Sequence, residues 1–145
     1  MSRLIQTSML FTLLTLSAYA EVTVQNPWIR PSVSQQKVTG AFMSITSTTD
    51  ARLVGITSPV AERVEIHEMT MENDVMKMRA VSSLPLVAGK AVKLAPGGSY
   101  HIMLFDLHQQ IKAGDTIPLT LTIEDDQKKQ SSIKVKANAK RSAAQ

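Results

Sequence analysis

The residues of this chain with the strongest claim to chemistry are His67, Met78, His101 and Met103. Alternate residues of a strand face the same side. His101 and Met103 therefore project together, while Ile102 and Leu104 turn to the opposite face. Around His67 the same rule puts Val64 and Ile66 on one face and Glu65, His67 and Met69 on the other. Met76 and Met78 form a further pair, just beyond the turn-like Glu72-Asn73-Asp74. Three strands would thus bring imidazoles and thioethers to one end of a sandwich. Soft thioether sulfur suits Cu(I), and imidazole suits copper as well. Zinc sites draw on cysteine, histidine and carboxylate rather than thioether. Calcium and magnesium require oxygen ligands, which Glu65 and Glu68 are not arranged to supply. All four donors are neutral, so a bound Cu(I) keeps its positive charge. Such a site would hold copper and still release it to a thiolate acceptor. It forms no disulfides, although thioethers do oxidise to sulfoxide.

Each of these residues also has a plainer role. Methionine commonly fills irregular gaps in a core, and a lone histidine usually lies at the surface or in a hydrogen bond. Met43, on a strand away from the cluster, reads as core. Met69, Met71 and Met76 read as packing first and as auxiliary sulfur donors second. His108, in the loop Leu107-His108-Gln109-Gln110, reads as solvent-facing.

The elements that would position these groups are strands. Short runs rich in β-branched residues recur at the spacing of a sandwich or barrel, and no long segment has helical periodicity. Strands are expected at 22–24, 28–30, 40–46, 51–58, 63–69, 75–81, 91–94, 100–104, 116–123 and 131–136. Breaks are expected at Asn26-Pro27, Glu72-Asn73-Asp74, Pro96-Gly97-Gly98 and Ala113-Gly114-Asp115. Glu72-Asn73-Asp74 reads as a hairpin loop. Ile117, Leu119, Leu121 and Ile123 alternate with polar residues, the mark of an antiparallel strand with one wet face.

Length and composition set the outer bounds. A chain of 145 residues is about one domain. With 43% hydrophobic and 19% charged residues it has an ordinary globular composition. There is no cysteine, which excludes disulfide scaffolds, thiolate zinc sites, iron–sulfur clusters, thiol catalysis and blue copper together. Aromatic residues make up only 4%, which gives little support to nucleic-acid binding by stacking. The net charge of +4 is mild. Lys128, Lys129 and the basic positions between Lys134 and Arg141 read as a wet strand face, or a contact for acidic partners or anionic headgroups.

Residues 1–20 read as a cleaved secretory signal peptide. Arg3 supplies the positive start, residues 4–16 the apolar run, and Ala18-Tyr19-Ala20 the cleavage site. Gln6, Thr7 and Ser8 interrupt that run, which falls short of the roughly 20 apolar residues of a membrane span. Without cysteine there is no lipobox, so no lipoprotein anchor is expected. The expected organisation is a β-sandwich domain over 21–137 and a short basic tail over 138–145, in an oxidising compartment such as the periplasm.

Several stretches resemble the PCuAC-type periplasmic copper chaperones. They are Val64-Glu-Ile-His67-Glu-Met69-Thr-Met71-Glu-Asn-Asp-Val-Met76-Lys-Met78-Arg79 and Pro96-Gly-Gly-Ser-Tyr-His101-Ile-Met103-Leu104. Trp28-Ile-Arg-Pro31, Gly40-Ala-Phe-Met-Ser-Ile45 and Lys112-Ala-Gly-Asp-Thr-Ile-Pro-Leu-Thr-Leu121 add to the likeness, which runs from about Asn26 to Val135. The pattern of that family is a histidine, ten residues, a methionine, about twenty-one residues, and His-x-Met. Here ten residues separate His67 from Met78 and twenty-two separate Met78 from His101. A one-residue slip inside a strand would turn side chains to the wrong face, so the extra residue is expected in a loop, at 82–85 or 98–99.

The resemblance implies a cupredoxin-like antiparallel Greek-key β-sandwich. It implies one Cu(I) per chain, held by His67, Met78, His101 and Met103, with Cu(II) held more weakly. It also implies delivery to an acceptor: the dinuclear copper site of cytochrome c oxidase in subunit II, or another copper chaperone. The His- and Met-rich C-terminal extension of some relatives has no counterpart in the final residues 137–145. Two readings compete with this delivery role, a general periplasmic copper-tolerance carrier and a metal-free β-sandwich that binds a partner strand. No nucleophile motif points to an enzyme, and no nucleic-acid partner or membrane span is expected after cleavage.

Overall fold

The alternation at Ile117, Leu119, Leu121 and Ile123 is realised on β9 (Thr116–Asp125), where all four side chains are buried and the residues between them are more exposed. The computed structural model describes residues 20–143; the expected signal peptide therefore lies outside the described residues, except for Ala20. The other strands are β1 (Val22–Ile29), β2 (Val38–Ser47), β3 (Ala51–Thr57), β4 (Ala61–Glu72) and β5 (Val75–Val81). They continue with β6 (Leu84–Leu86), β7 (Val92–Leu94), β8 (Tyr100–Leu107) and β10 (Gln130–Ala139). No helix is found among the described residues, hence none long and apolar enough to cross a membrane.

Hydrogen bonding joins the strands in the order β5-β4-β8-β7-β2-β1-β10-β9-β3-β6, with β8 also pairing directly with β2. All pairs are antiparallel except β1 with β10 and β7 with β8. The sheet folds over itself. One apolar cluster takes Ile66 from β4, Ile102 and Leu104 from β8, Met43 and Ile45 from β2, and Leu119 and Leu121 from β9. The side of β4, β8 and β2 that turns away from this cluster carries His67, His101, Met103 and Phe42.

Three details differ from the sequence expectation. Asn26-Pro27 does not end a strand: β1 runs through it with a register shift between Gln25 and Trp28, and Asn26 takes a φ of 50°. Such bulges absorb an extra residue without ending the ladder. β6 was not expected because Leu84-Pro85-Leu86 is short and centred on proline. It lies at the sheet edge, where a missing N–H is tolerated, and it buries both leucines. β10 continues through Asn138 and Ala139, two residues into the expected tail. Trp28 and Ile29 pair with these residues, and Ala139 is buried. The Lys134 and Lys136 side of β10 is exposed, as a wet face should be.

The β4–β5 connection is a two-residue turn at Asn73-Asp74, both at positive φ (50° and 61°). This is the geometry of a type I′ hairpin turn, whose twist matches the flanking strands and which favours Asn and Asp. It sets the register in which Met69 faces Met78 and Met71 faces Met76.

Ile102 is completely buried between two outward-facing residues of β8. Ile102→Ala is expected to cost about 2–5 kcal/mol. Urea unfolding should show this as a lower midpoint with an unchanged slope.

Candidate metal centre

Register assembles the site. β4 and β8 pair so that His67 stands opposite His101 and Glu65 opposite Met103. β5 pairs with the other edge of β4 so that Met78 stands opposite Met69. Directly opposite residues share a face, with Cβ atoms about 4.5–5.5 Å apart. All four expected residues therefore lie on one sheet face, across three adjacent strands. They sit on the outer face of the sheet rather than at the end of a sandwich. With the longer Met78–His101 spacing, Met78 and His101 still lie on the same sheet face.

The rings of His67 and His101 lie 5.9 Å apart, centroid to centroid. His101 Nε2 is 3.2 Å from Met78 Sδ. His101 is buried, whereas Met78 is about half exposed (51%), so the cluster reaches solvent through its methionine side. An open cavity of about 370 Å³ sits over it, lined by Arg30, Phe42, Met69, Met78, His101 and Met103 among others. Gly40, opposite Met103, shapes this floor: a Cβ there would come within 2.9 Å of the Phe42 ring. Phe42 stacks at 4.6 Å on Trp28 and lies under the Arg30 guanidinium at 5.2 Å.

Glu65 organises the histidine behind this cavity. Its carboxylate accepts from Arg63 Nε and from His67 Nε2, both at 2.8 Å. The His67 and Arg63 hydrogen bonds hold the Glu65 carboxyl below its ordinary range, so it is ionised at neutral pH. An ionised carboxylate only accepts, so Nε2 carries a proton, and whenever the ring is neutral Nδ1 holds the lone pair. That Nδ1 is the one buried side-chain nitrogen or oxygen among the described residues without a hydrogen-bond partner. An unsatisfied buried acceptor costs on the order of 1–3 kcal/mol. A metal-ligating histidine is commonly oriented by a carboxylate on its other nitrogen, and His67 with Glu65 has that arrangement.

Among the described residues, no three His, Cys, Asp or Glu side chains come together to hold a metal ion. A metal centre here must therefore use thioether sulfur, which selects a soft ion. Met43 is core and His108 is exposed, both as expected. Met69, read as packing first and as an auxiliary sulfur donor second, lines the cavity opposite Met78. One further member of the site was not anticipated. Arg30 was not singled out, because nothing in the sequence brings the residue after β1 to the cavity beside β8 and β2.

Comparison with known proteins agrees with this architecture. The family model described as LpqE-like matches residues 22–136. Lxx21020 of Leifsonia xyli subsp. xyli, named as a lipoprotein, is 34% identical over 105 residues. That match covers 72% of this chain but only 63% of the length of Lxx21020. The uncharacterized protein RP573 of Rickettsia prowazekii is 33% identical over 125 residues, covering 83% of this chain and 69% of its own. Among solved structures, the Cu(I) form of DR1885 from Deinococcus radiodurans is 28% identical and covers 83% of this chain and 78% of its own, with a TM-score of 0.61. The copper-bound PCuAC domain of PmoF2 is similar in fold, with a TM-score of 0.62 at 19% identity over 82% of this chain and 93% of its own. The fold is thus the cupredoxin-like β-sandwich of the PCuAC domains.

His101 is held below the ordinary histidine pKa, first by burial, then by the positive charges of His67, when that ring is protonated, and of Arg30. The unfolded chain binds a proton near pH 6.5 that the folded chain resists. This contribution is neutral above pH 6.5, and stability falls as pH drops from there toward the folded value. Following the His101 ring by NMR should give a midpoint below 6.5, and Arg30→Gln should raise it.

Proposed function

This chain belongs to the LpqE-like family, and on that premise we propose that it is an exported Cu(I) carrier, a metallochaperone without catalytic turnover. The observation that carries this reading is the unpartnered Nδ1 of His67 beside His101, Met78 and Met103, in a chain without cysteine. The copper-bound forms of DR1885 and of the PmoF2 domain support it.

One Cu(I) is the cargo, held by His67 through Nδ1, by His101, and by the sulfurs of Met78 and Met103. Glu65 fixes the His67 tautomer. The lowered pKa of His101 keeps its ring neutral and free to ligate in mildly acidic surroundings. No ligand is anionic, and Arg30 adds positive charge beside the cavity. The loaded site therefore remains cationic, so an acceptor offering thiolates gains both softer ligands and charge neutralisation. Half-exposed Met78 is the ligand through which such an acceptor first reaches the ion.

Export is part of the proposal and rests on the signal-like residues 1–20. The proposed acceptor is the dinuclear copper site of cytochrome c oxidase, with general periplasmic copper tolerance as the alternative destination. The Cu(I) site would be the same for either.

Anaerobic Cu(I) titration against a chromophoric chelator is expected to give one tight equivalent. His101→Ala/Met103→Ala should lose it while keeping the β-sheet circular dichroism. Failure of the unaltered protein to compete for Cu(I) would overturn the carrier reading and favour the partner-binding sandwich. Glu65→Ala should weaken Cu(I) binding by about 10–100-fold, as loss of a ligand-orienting carboxylate does.

A further inference from the structure

The β4–β5 hairpin outgrows the sheet. β8 accompanies β4 only as far as the Glu68–Tyr100 pair, and the last backbone tie on that side is Met69 N–H to Ser99 O at 2.7 Å. Beyond it, Thr70, Met71 and Glu72 pair only with Lys77, Met76 and Val75 of β5. The two faces of this ribbon differ sharply. One carries Glu68, Thr70, Glu72, Lys77 and Arg79 with Val75 at its tip, and has ion pairs Lys77–Glu72 at 3.0 Å and Arg79–Glu68 at 3.1 Å. The other carries only methionines: Met69 opposite Met78, then Met71 opposite Met76.

The outer pair does not pack against the core. Met71 is 63% exposed and Met76 51%. Two-stranded ribbons are marginal without a packed face, so exposed methionines at this position contribute little to stability. What they do present is sulfur. Cross-strand partners have Cβ atoms about 5 Å apart, and each methionine has three rotatable bonds with which to turn its thioether onto a shared ion. Met71 lies two residues beyond Met69 on the same face, a step of about 7 Å. The type I′ turn at Asn73-Asp74 fixes this register.

We propose that Met71 and Met76 form a second, outer site for a soft monovalent cation, Cu(I) or Ag(I), one step outward from the inner His/Met cluster. Two thioethers make it the weaker site, and its exposure makes it the one an incoming or departing ion meets first. Passage between the sites is ligand exchange. The bonds to Met71 and Met76 sulfur break as bonds to the inner thioethers and imidazole nitrogens form, the ion keeps its oxidation state, and no proton moves when both rings are neutral. The direction of passage rests on the proposed function of the inner cluster, but the outer site itself does not.

Ag(I), which needs no reductant, is the probe, read at ¹³C-labelled methionine methyls in the purified protein. The expected result is an early shift at Met78 and Met103, then a later saturable shift of Met71 and Met76 together. Met71→Leu/Met76→Leu keeps the hairpin apolar and should lose the later event while retaining the earlier one. Shifts confined to the inner methionines, or a later event that survives the double substitution, would overturn the outer site and leave the inner one standing. Shifts at Met71 and Met76 with Met78 and Met103 silent would uphold the outer site and overturn the carrier reading. Silence at all four would overturn both.

Discussion

The pairing of β4 with β8 is the constraint on which the rest depends. Ile66 and Ile102 are cross-strand partners and both lie in the core. Because a strand has a period of two, burying them turns the neighbouring pair, His67 and His101, outward together. A slip of one residue on either strand would expose an isoleucine and bury a histidine. The hydrophobic effect thereby fixes the position of polar donors that could not hold themselves in place. Met103 follows from the same logic, since its neighbours Ile102 and Leu104 are both fully buried.

On this frame, electrostatics decides the protonation state of the donors. Arg63, Glu65 and His67 are alternate residues on one face of β4, linked through the Glu65 carboxylate. The guanidinium helps keep that carboxylate ionised, and the carboxylate holds the imidazole proton on Nε2. Burial and neighbouring positive charge favour the neutral ring at His101. His101 thus presents a lone pair rather than a proton. Thioethers need no such preparation, having no proton to lose.

Stability and exposure are divided along the length of the hairpin. Near the sheet, β4 contributes Ile66 to the core. Farther out, the ribbon has only its own ladder, a tight turn and two surface ion pairs, each pair contributing little. The methionines follow this gradient. Met43 is buried in the core, Met69 and Met103 line the cavity, and Met71 and Met76 stand in solvent. One residue type therefore serves three purposes, and only its position along the strands distinguishes them.

Much of this could be read in the sequence, because strand alternation is a local property. The run from Ile117 to Ile123 announced β9, and His101-Ile102-Met103 announced two donors on one face. The absence of cysteine narrowed the metal chemistry before any fold was considered. The short β6 could not be read, since its burial comes from edge pairing with β3 and not from its own pattern. Nor could the course of β1 through Asn26-Pro27 or of β10 to Ala139, which the pairing of those two strands decides. The sequence by itself determined which residues share a face within each strand, because that follows from backbone geometry. Only the tertiary structure decided which strands lie side by side beyond the β4–β5 hairpin. It brought Arg30 and Phe42 to the cavity, set His67 opposite His101, and left His67 Nδ1 without a partner. These contacts depend on long-range pairing and packing, which no local pattern encodes.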